Sequence, residues 1–176
     1  MQIFDTHTHL NDTCFKGKEN WYYQHAHKLG VTEMAIVGSN YQLNQEAIRL
    51  AEHYRGLYAV IGWHPEEVAE FDHQAIQWLT RYHEHSKVVA IGEIGLDYHW
   101  QIQTKKRQQE IFAEQLALAK KWHLPVAIHS REATADTYAL LKEAALPQGQ
   151  IIMHSFNVEE PNWSDRFLEL GCYLSY

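Results

Sequence analysis

Cysteine is scarce in this 176-residue chain: Cys14 and Cys172 stand far apart and no CxxC pair occurs. That argues against a disulfide framework, so a reducing, cytoplasmic setting is expected. Proline and glycine number only four and nine, too few for a low-complexity or collagen-like chain. No apolar run approaches the roughly 20 residues of a membrane span. The opening Met1-Gln2-Ile3-Phe4-Asp5 has neither the basic start nor the apolar stretch of a signal peptide. Positive charge is also short. Fifteen Lys and Arg face 22 Asp and Glu, a net charge of −7, which argues against a broadly basic nucleic-acid surface. It does not exclude a nuclease, since bound cations can supply positive charge where a phosphate docks. Neither GxGxxG nor GxxxxGK[ST] occurs, which counts against a nucleotide-binding doubly wound sheet.

What the chain does have is an ordinary globular composition, 45% hydrophobic and 21% charged, expected to form one domain over residues 1–176. Short apolar, β-branched runs alternate with longer helical patterns. Strands are predicted at 3–9, 33–38, 57–62, 88–93, 126–129, 151–154 and 172–175. Helices are predicted at 21–29, 44–54, 104–122, 133–145 and 163–170, with another capped by Asp72 that carries Ile76, Leu79 and Tyr82. Such alternation means parallel βαβ units, and the near-continuous apolar strands suit burial on both faces. Seven strands and six helices point to a (β/α)8 TIM-type barrel. Such a barrel typically takes about 250 residues, so an incomplete one is expected, lacking the C-terminal eighth βα unit.

Thirteen histidines are the unusual number, and their positions matter more than their count. Barrel active sites lie at the C-terminal ends of the strands. The first strand ends Asp5-Thr6-His7-Thr8-His9, and alternation puts Asp5, His7 and His9 on one face. An HxH there is either a metal-binding pair or two polar residues at a strand mouth. Glu93 closes the apolar run Val88-Val89-Ala90-Ile91-Gly92. A buried carboxylate needs a partner, which is either a cation, bridged through its two oxygens, or a local cap or salt bridge. Strands five and six end in His129-Ser130 and His154-Ser155. Four imidazoles and one carboxylate at one rim suit Zn, Mn, Fe or Co, and the lack of cysteine ligands argues against a closed structural zinc site.

The motifs Asp5-Thr6-His7-Thr8-His9-Leu10, Gly62-Trp63-His64-Pro65, Gly92-Glu93-Ile94-Gly95-Leu96-Asp97-Tyr98, Pro125-Val126-Ala127-Ile128-His129-Ser130-Arg131 and Met153-His154-Ser155-Phe156-Asn157 resemble, in order, those of the TatD family of metal-dependent deoxyribonucleases. The terminal 170–176 segment resembles its seventh strand. The resemblance implies that His7 and His9 hold a first metal, that Glu93 is the catalytic bridge to a second, and that His129 and His154 complete the second site. His64 and Arg131 would contact substrate, and Asp5 and Asp97 would hold ligands or loops in place. It further implies a DNA phosphodiester or other phosphate-ester substrate and two divalent cations per full site, Mg, Mn or Zn. No membrane and no obligate protein partner are expected.

Two departures stand out. The family's further strand, ending in a metal-binding Asp, has no counterpart before Tyr176, and Val158 stands where the family has Gly. The rival readings are a hydrolase of a small amide, lactone or phosphate ester, and an inactive truncated fragment. A bridging Lys at the end of strand four, common in the former group, is absent here.

Overall fold

The computed structural model describes residues 2–157 and 162–176; Val158 lies outside the described residues. The strands are β1 (Ile3–Thr8), β2 (Val31–Val37), β3 (Leu57–Ile61), β4 (Val88–Asp97), β5 (Val126–Arg131), β6 (Ile151–Met153) and β7 (Cys172–Leu174). The helices are α1 (Glu19–Lys28), α2 (Tyr41–His53), α3 (His73–Tyr82), α4 (Lys105–Trp122), α5 (Thr134–Ala144) and α6 (Trp163–Glu169). Among the described residues the strands form one sheet in the order β1-β2-β3-β4-β5-β6-β7, every neighbouring pair parallel. The sheet curls into an open half-barrel with its helices outside, the incomplete barrel that the alternation predicts.

Helices α2, α3 and α4 begin where short polar side chains satisfy unpaired N–H groups. Asn40 accepts from the Leu43 amide, Asp72 from Gln74 and Ala75, and Thr104 from Arg107. The strands divide their side chains between two layers. Met34, Ile36, Leu57, Ile61, Ile91 and Ile128 join the large core under the helices. Ala35, Val37, Val60, Ala90 and Ala127 form a second, small cluster. Four consecutive strands thus present small residues on the second face, which permits a tight curl.

Two features differ from the sequence reading. Strand β4 runs on to Asp97, because Ile94 and Leu96 continue the buried pattern beyond Glu93. Two short 3-10 segments, Thr13–Phe15 and Pro65–Glu70, follow β1 and β3, and the second opens immediately after His64.

Three buried carboxamides fasten helices to strand ends. Asn44 of α2 accepts from the Gly62 amide at 3.0 Å and donates to the Gly62 carbonyl at 2.8 Å. Gln115 of α4 does the same to Trp63, at 2.8 and 3.0 Å. Gln108, also of α4, does so to Asp97, at 2.8 Å in both directions. Each amide replaces the ladder partner that a strand end lacks. Gln115→Leu would leave the Trp63 amide and carbonyl buried and unpaired, at about 1–3 kcal/mol per group. We expect it to lower the unfolding free energy by about 2–5 kcal/mol in chemical denaturation, while Glu114→Ala on the exposed face stays within about 0.5 kcal/mol.

Candidate metal centre

At the C-terminal end of the sheet the polar side chains gather around Glu93, whose side chain is only 6% exposed. Its two oxygens face different histidines. Oε2 lies 3.4 Å from His7 Nε2 and 3.6 Å from His9 Nε2, and the two Nε2 atoms are 3.2 Å apart. Oε1 lies 3.2 Å from His129 Nδ1. Ligand atoms of His64, Glu93 and His129 form a second group, all within 4.8 Å of one another.

Local structure fixes each ring. The register of β1 against β2 shifts between Asp5 and Thr8, an irregularity beside the two histidines. His9 donates through Nδ1 to the Val37 carbonyl at 3.1 Å, which leaves Nε2 as the atom turned to Glu93. Asp5 does not join the cluster; its carboxylate accepts the His7 amide at 3.1 Å. His129 bridges two carboxylates, since its Nε2 also lies 2.8 Å from Asp97 Oδ2. Asp97 Oδ1 in turn accepts the amides of His99 and Trp100. Gly95, between Glu93 and Asp97, has φ +145°, and a Cβ there would stand 1.9 Å from the His129 carbonyl oxygen. Only glycine lets β4 and β5 approach this closely.

The expected second-site pair is arranged differently from a simple convergence. His64 sits with Glu93 and His129, its ring edge-on to His129 at 4.4 Å between centroids. His154 follows the end of the short β6 and stacks flat on His7, 3.4 Å between centroids and 8° between planes. Arg131 is at the end of β5, with its guanidinium over the Trp100 ring at 5.3 Å. Beside it opens a cleft of about 760 Å³ lined by His129, Arg131, Thr134, His154, Asn157 and Trp163, among others. The sequence reading placed His64 at the substrate rim and gave it no place beside Glu93. The buried carboxamides it missed altogether, because Asn44, Gln108 and Gln115 sit inside ordinary amphipathic helix patterns.

The electrostatics suit a cation. Burial would raise the Glu93 carboxyl, but hydrogen bonds from His129 and His7 outweigh it and hold the group well below its usual range. Burial also acts against charge on His129, yet Glu93 and Asp97 reverse the balance and raise its pKa. His129 thus holds a proton more readily than a free imidazole, because its two ring nitrogens face two carboxylates. Burial, then the nearby charge of His129, lowers His64 to about 4, and burial, then His7, lowers His154 to about 4. Both are neutral at pH 7 with lone pairs available for ligation.

The residues fit a bound metal on geometry as well. Tetrahedral ligands with bonds of about 2.0–2.2 Å lie roughly 3.3–3.6 Å from one another. The triangle of His7 Nε2, His9 Nε2 and Glu93 Oε2 has sides of 3.2, 3.4 and 3.6 Å. A metal ion, or a proton carried on the His7 ring, would hold three such atoms together. In addition, Nδ1 of His7 and Nδ1 of His154 are buried without a partner among the described residues, the kind of unmet polar demand that marks functional sites.

Comparison with known proteins agrees with this chemistry. The profile of the TatD-related DNase family matches residues 4–176. YabD of Bacillus subtilis, named as an uncharacterized metal-dependent hydrolase, is 39% identical over 174 residues, which cover 99% of this chain and 68% of that protein. TatD of Pantoea vagans, named as a 3'-5' ssDNA/RNA exonuclease, is 36% identical over 155 residues, 88% of this chain and 60% of its own. The crystal structure of YjjV from Escherichia coli superposes with a TM-score of 0.91 at 33% identity, covering 98% of this chain and 66% of that one. The chain spans about two thirds of the length of these relatives. A family profile running to residue 176, on a fold that superposes this closely, leaves one assignment: the chain belongs to the TatD-related DNase family.

Proposed function

We propose that this chain carries the metal centre of a hydrolase that cleaves phosphodiester bonds in DNA. One observation carries the reading: the two oxygens of a single buried carboxylate serve two separate sets of histidines. His7, His9 and Glu93 would hold one divalent cation. Glu93 and His129 would anchor another, flanked by His64 and His154. Bound cations of this kind lower the pKa of water and neutralise charge on a scissile phosphate. The chain's own residues do the positioning. Asp97 orients His129 and, through the same carboxylate, the loop that follows β4. His64, neutral at pH 7, can hydrogen-bond a phosphate oxygen without bringing a competing charge. Arg131, at the mouth of the cleft, supplies a fixed positive group for phosphate. The nucleic-acid substrate is supported by the name of the Pantoea relative, an exonuclease on single-stranded DNA and RNA. Metal-dependent hydrolysis of a small amide or lactone is the competing reading, and β4, which carries Glu93 and no lysine, disfavours its common bridging-lysine form.

The protein incubated with a single-stranded oligonucleotide and Mn²⁺ should release nucleotides, and a chelator should stop it. Turnover of a lactone and amide panel without any nuclease activity would contradict the proposal. Glu93→Gln should weaken both cation-binding events in calorimetric titration by at least about a hundredfold. Asp97→Asn should weaken one of them by about 10–100-fold with the fold intact. The raised His129 pKa gives the pH dependence. Below that pKa a proton occupies the ring and competes with the cation. Metal affinity should therefore rise as pH rises through the histidine range and level off above it. Titrations in buffers of differing ionisation enthalpy should show roughly one proton released below the plateau.

A further inference from the structure

Most aromatic side chains near the centre are committed to the fold, and one is not. Tyr98 is 7% exposed and fully engaged. Its hydroxyl donates to Asp136 at 2.7 Å, Gln109 donates to it at 2.8 Å, and Lys105 lies 4.2 Å over its ring. Two residues later Trp100 is 57% exposed, with Ile102 beyond it at 58%. The largest apolar side chain in the sequence repertoire is displayed to solvent on a loop with a rigid base. Asp97 Oδ1 accepts the amides of His99 and Trp100 at 2.9 and 3.3 Å, and its other oxygen holds His129. The placement of Trp100 is thus fixed by the same carboxylate that orients a member of the metal cluster.

What lies against the ring narrows the ligand. Arg131 covers it with its guanidinium, 5.3 Å from the ring centroid. Among the described residues Arg131 forms no ion pair. The neighbouring carboxylate, Glu132, is taken instead by His99 Nδ1 at 2.7 Å. His99 in turn stands edge-on to Trp100 at 4.6 Å. The result is a guanidinium over an exposed indole, next to a 760 Å³ cleft that Arg131 shares with His129 and His154. Arg131 and His129 are two apart on β5, about 6.6 Å along the strand, a span on the scale of one nucleotide. Guanidinium and indole together match a phosphate and the base attached to it.

We infer that Trp100, with Arg131 beside it, is a nucleobase platform that holds an unpaired nucleotide beside the scissile phosphate. The inference rests on the phosphodiesterase reading above and deepens it. A base can reach the indole only when it is not paired, so the platform selects single-stranded ends. Trp100 is a specificity-determining residue and leaves the bond-breaking step to the metal cluster.

The test is binding without cleavage. A fluorescein-labelled thymidine hexamer is titrated by anisotropy in EDTA, alongside the same hexamer made abasic. Trp100→Ala should weaken binding of the thymidine hexamer about tenfold, an ordinary stacking contribution, and Trp100→Phe should recover most of it. Wild-type protein should bind the abasic hexamer about as weakly as Trp100→Ala binds the thymidine one, an arm that needs no variant to fold. Arg131→Gln should weaken both hexamers and reduce the salt slope by about one. Trp21→Ala, at another exposed tryptophan (60% exposed) on α1, should change nothing. The platform is overturned if wild-type protein does not bind the hexamer. It is also overturned if the abasic hexamer binds equally well, or if Trp21→Ala costs as much as Trp100→Ala. The hydrolase reading is tested separately, with bis(p-nitrophenyl) phosphate and Mn²⁺. Chelator-sensitive turnover with no Trp100 dependence of oligonucleotide binding removes the platform alone. Trp100-dependent binding with no metal-dependent cleavage of either substrate removes the hydrolase reading and leaves the platform standing.

Discussion

A carboxylate taken out of water is costly unless its charge is answered, and the Glu93 carboxylate is answered by imidazoles alone. No lysine or arginine reaches it among the described residues. Histidine is the side chain that can satisfy an anion when protonated and ligate a cation when neutral, so the cluster has two charge states available to it. In one, protons on the rings balance the acid. In the other, metal ions do. The remainder of the site follows from keeping both states in one geometry: His9 is tied to a backbone carbonyl, His129 to a second acid, and His7 is packed against His154.

The parallel sheet makes this possible because it brings the ends of consecutive strands to one rim. Each neighbouring strand can offer one or two polar residues there while its remainder stays apolar. Where the approach must be closer than a side chain allows, Gly95 removes the obstacle between β4 and β5. The loop after β4 then inherits its position from Asp97, so the exposed Trp100 and the cluster member His129 share one anchor.

Much of this was legible in the chain itself. Apolar runs of strand length separated by helical periodicity carry the architecture, since burial on both faces keeps runs such as Leu57–Ile61 and Ile151–Met153 almost wholly apolar. Histidines and the glutamate at the ends of such runs stand out against it, and the ordered motifs tie them to a family. The extension of β4 to Asp97 was not legible, because Gly92 and Gly95 look like the end of a strand although Ile94 and Leu96 continue its buried face. The nearness of His64 to Glu93 was also hidden. It depends on how the turn after β3 enters the 3-10 segment at Pro65, a matter of backbone path rather than residue type. Buried carboxamides are invisible for a similar reason: glutamine on a helix is ordinarily solvated, and only the packed structure shows that Gln108 and Gln115 face inward.

Those two glutamines lie on the same helix, two turns apart, and they grip the ends of different strands. Gln115 holds Trp63, the residue before His64, and Gln108 holds Asp97, the partner of His129. Helix α4 is therefore a ruler laid across the back of the site. Any shift of that helix carries His64 and the Asp97–His129 pair in the same direction, so their separation survives thermal motion that would blur two independently mounted groups.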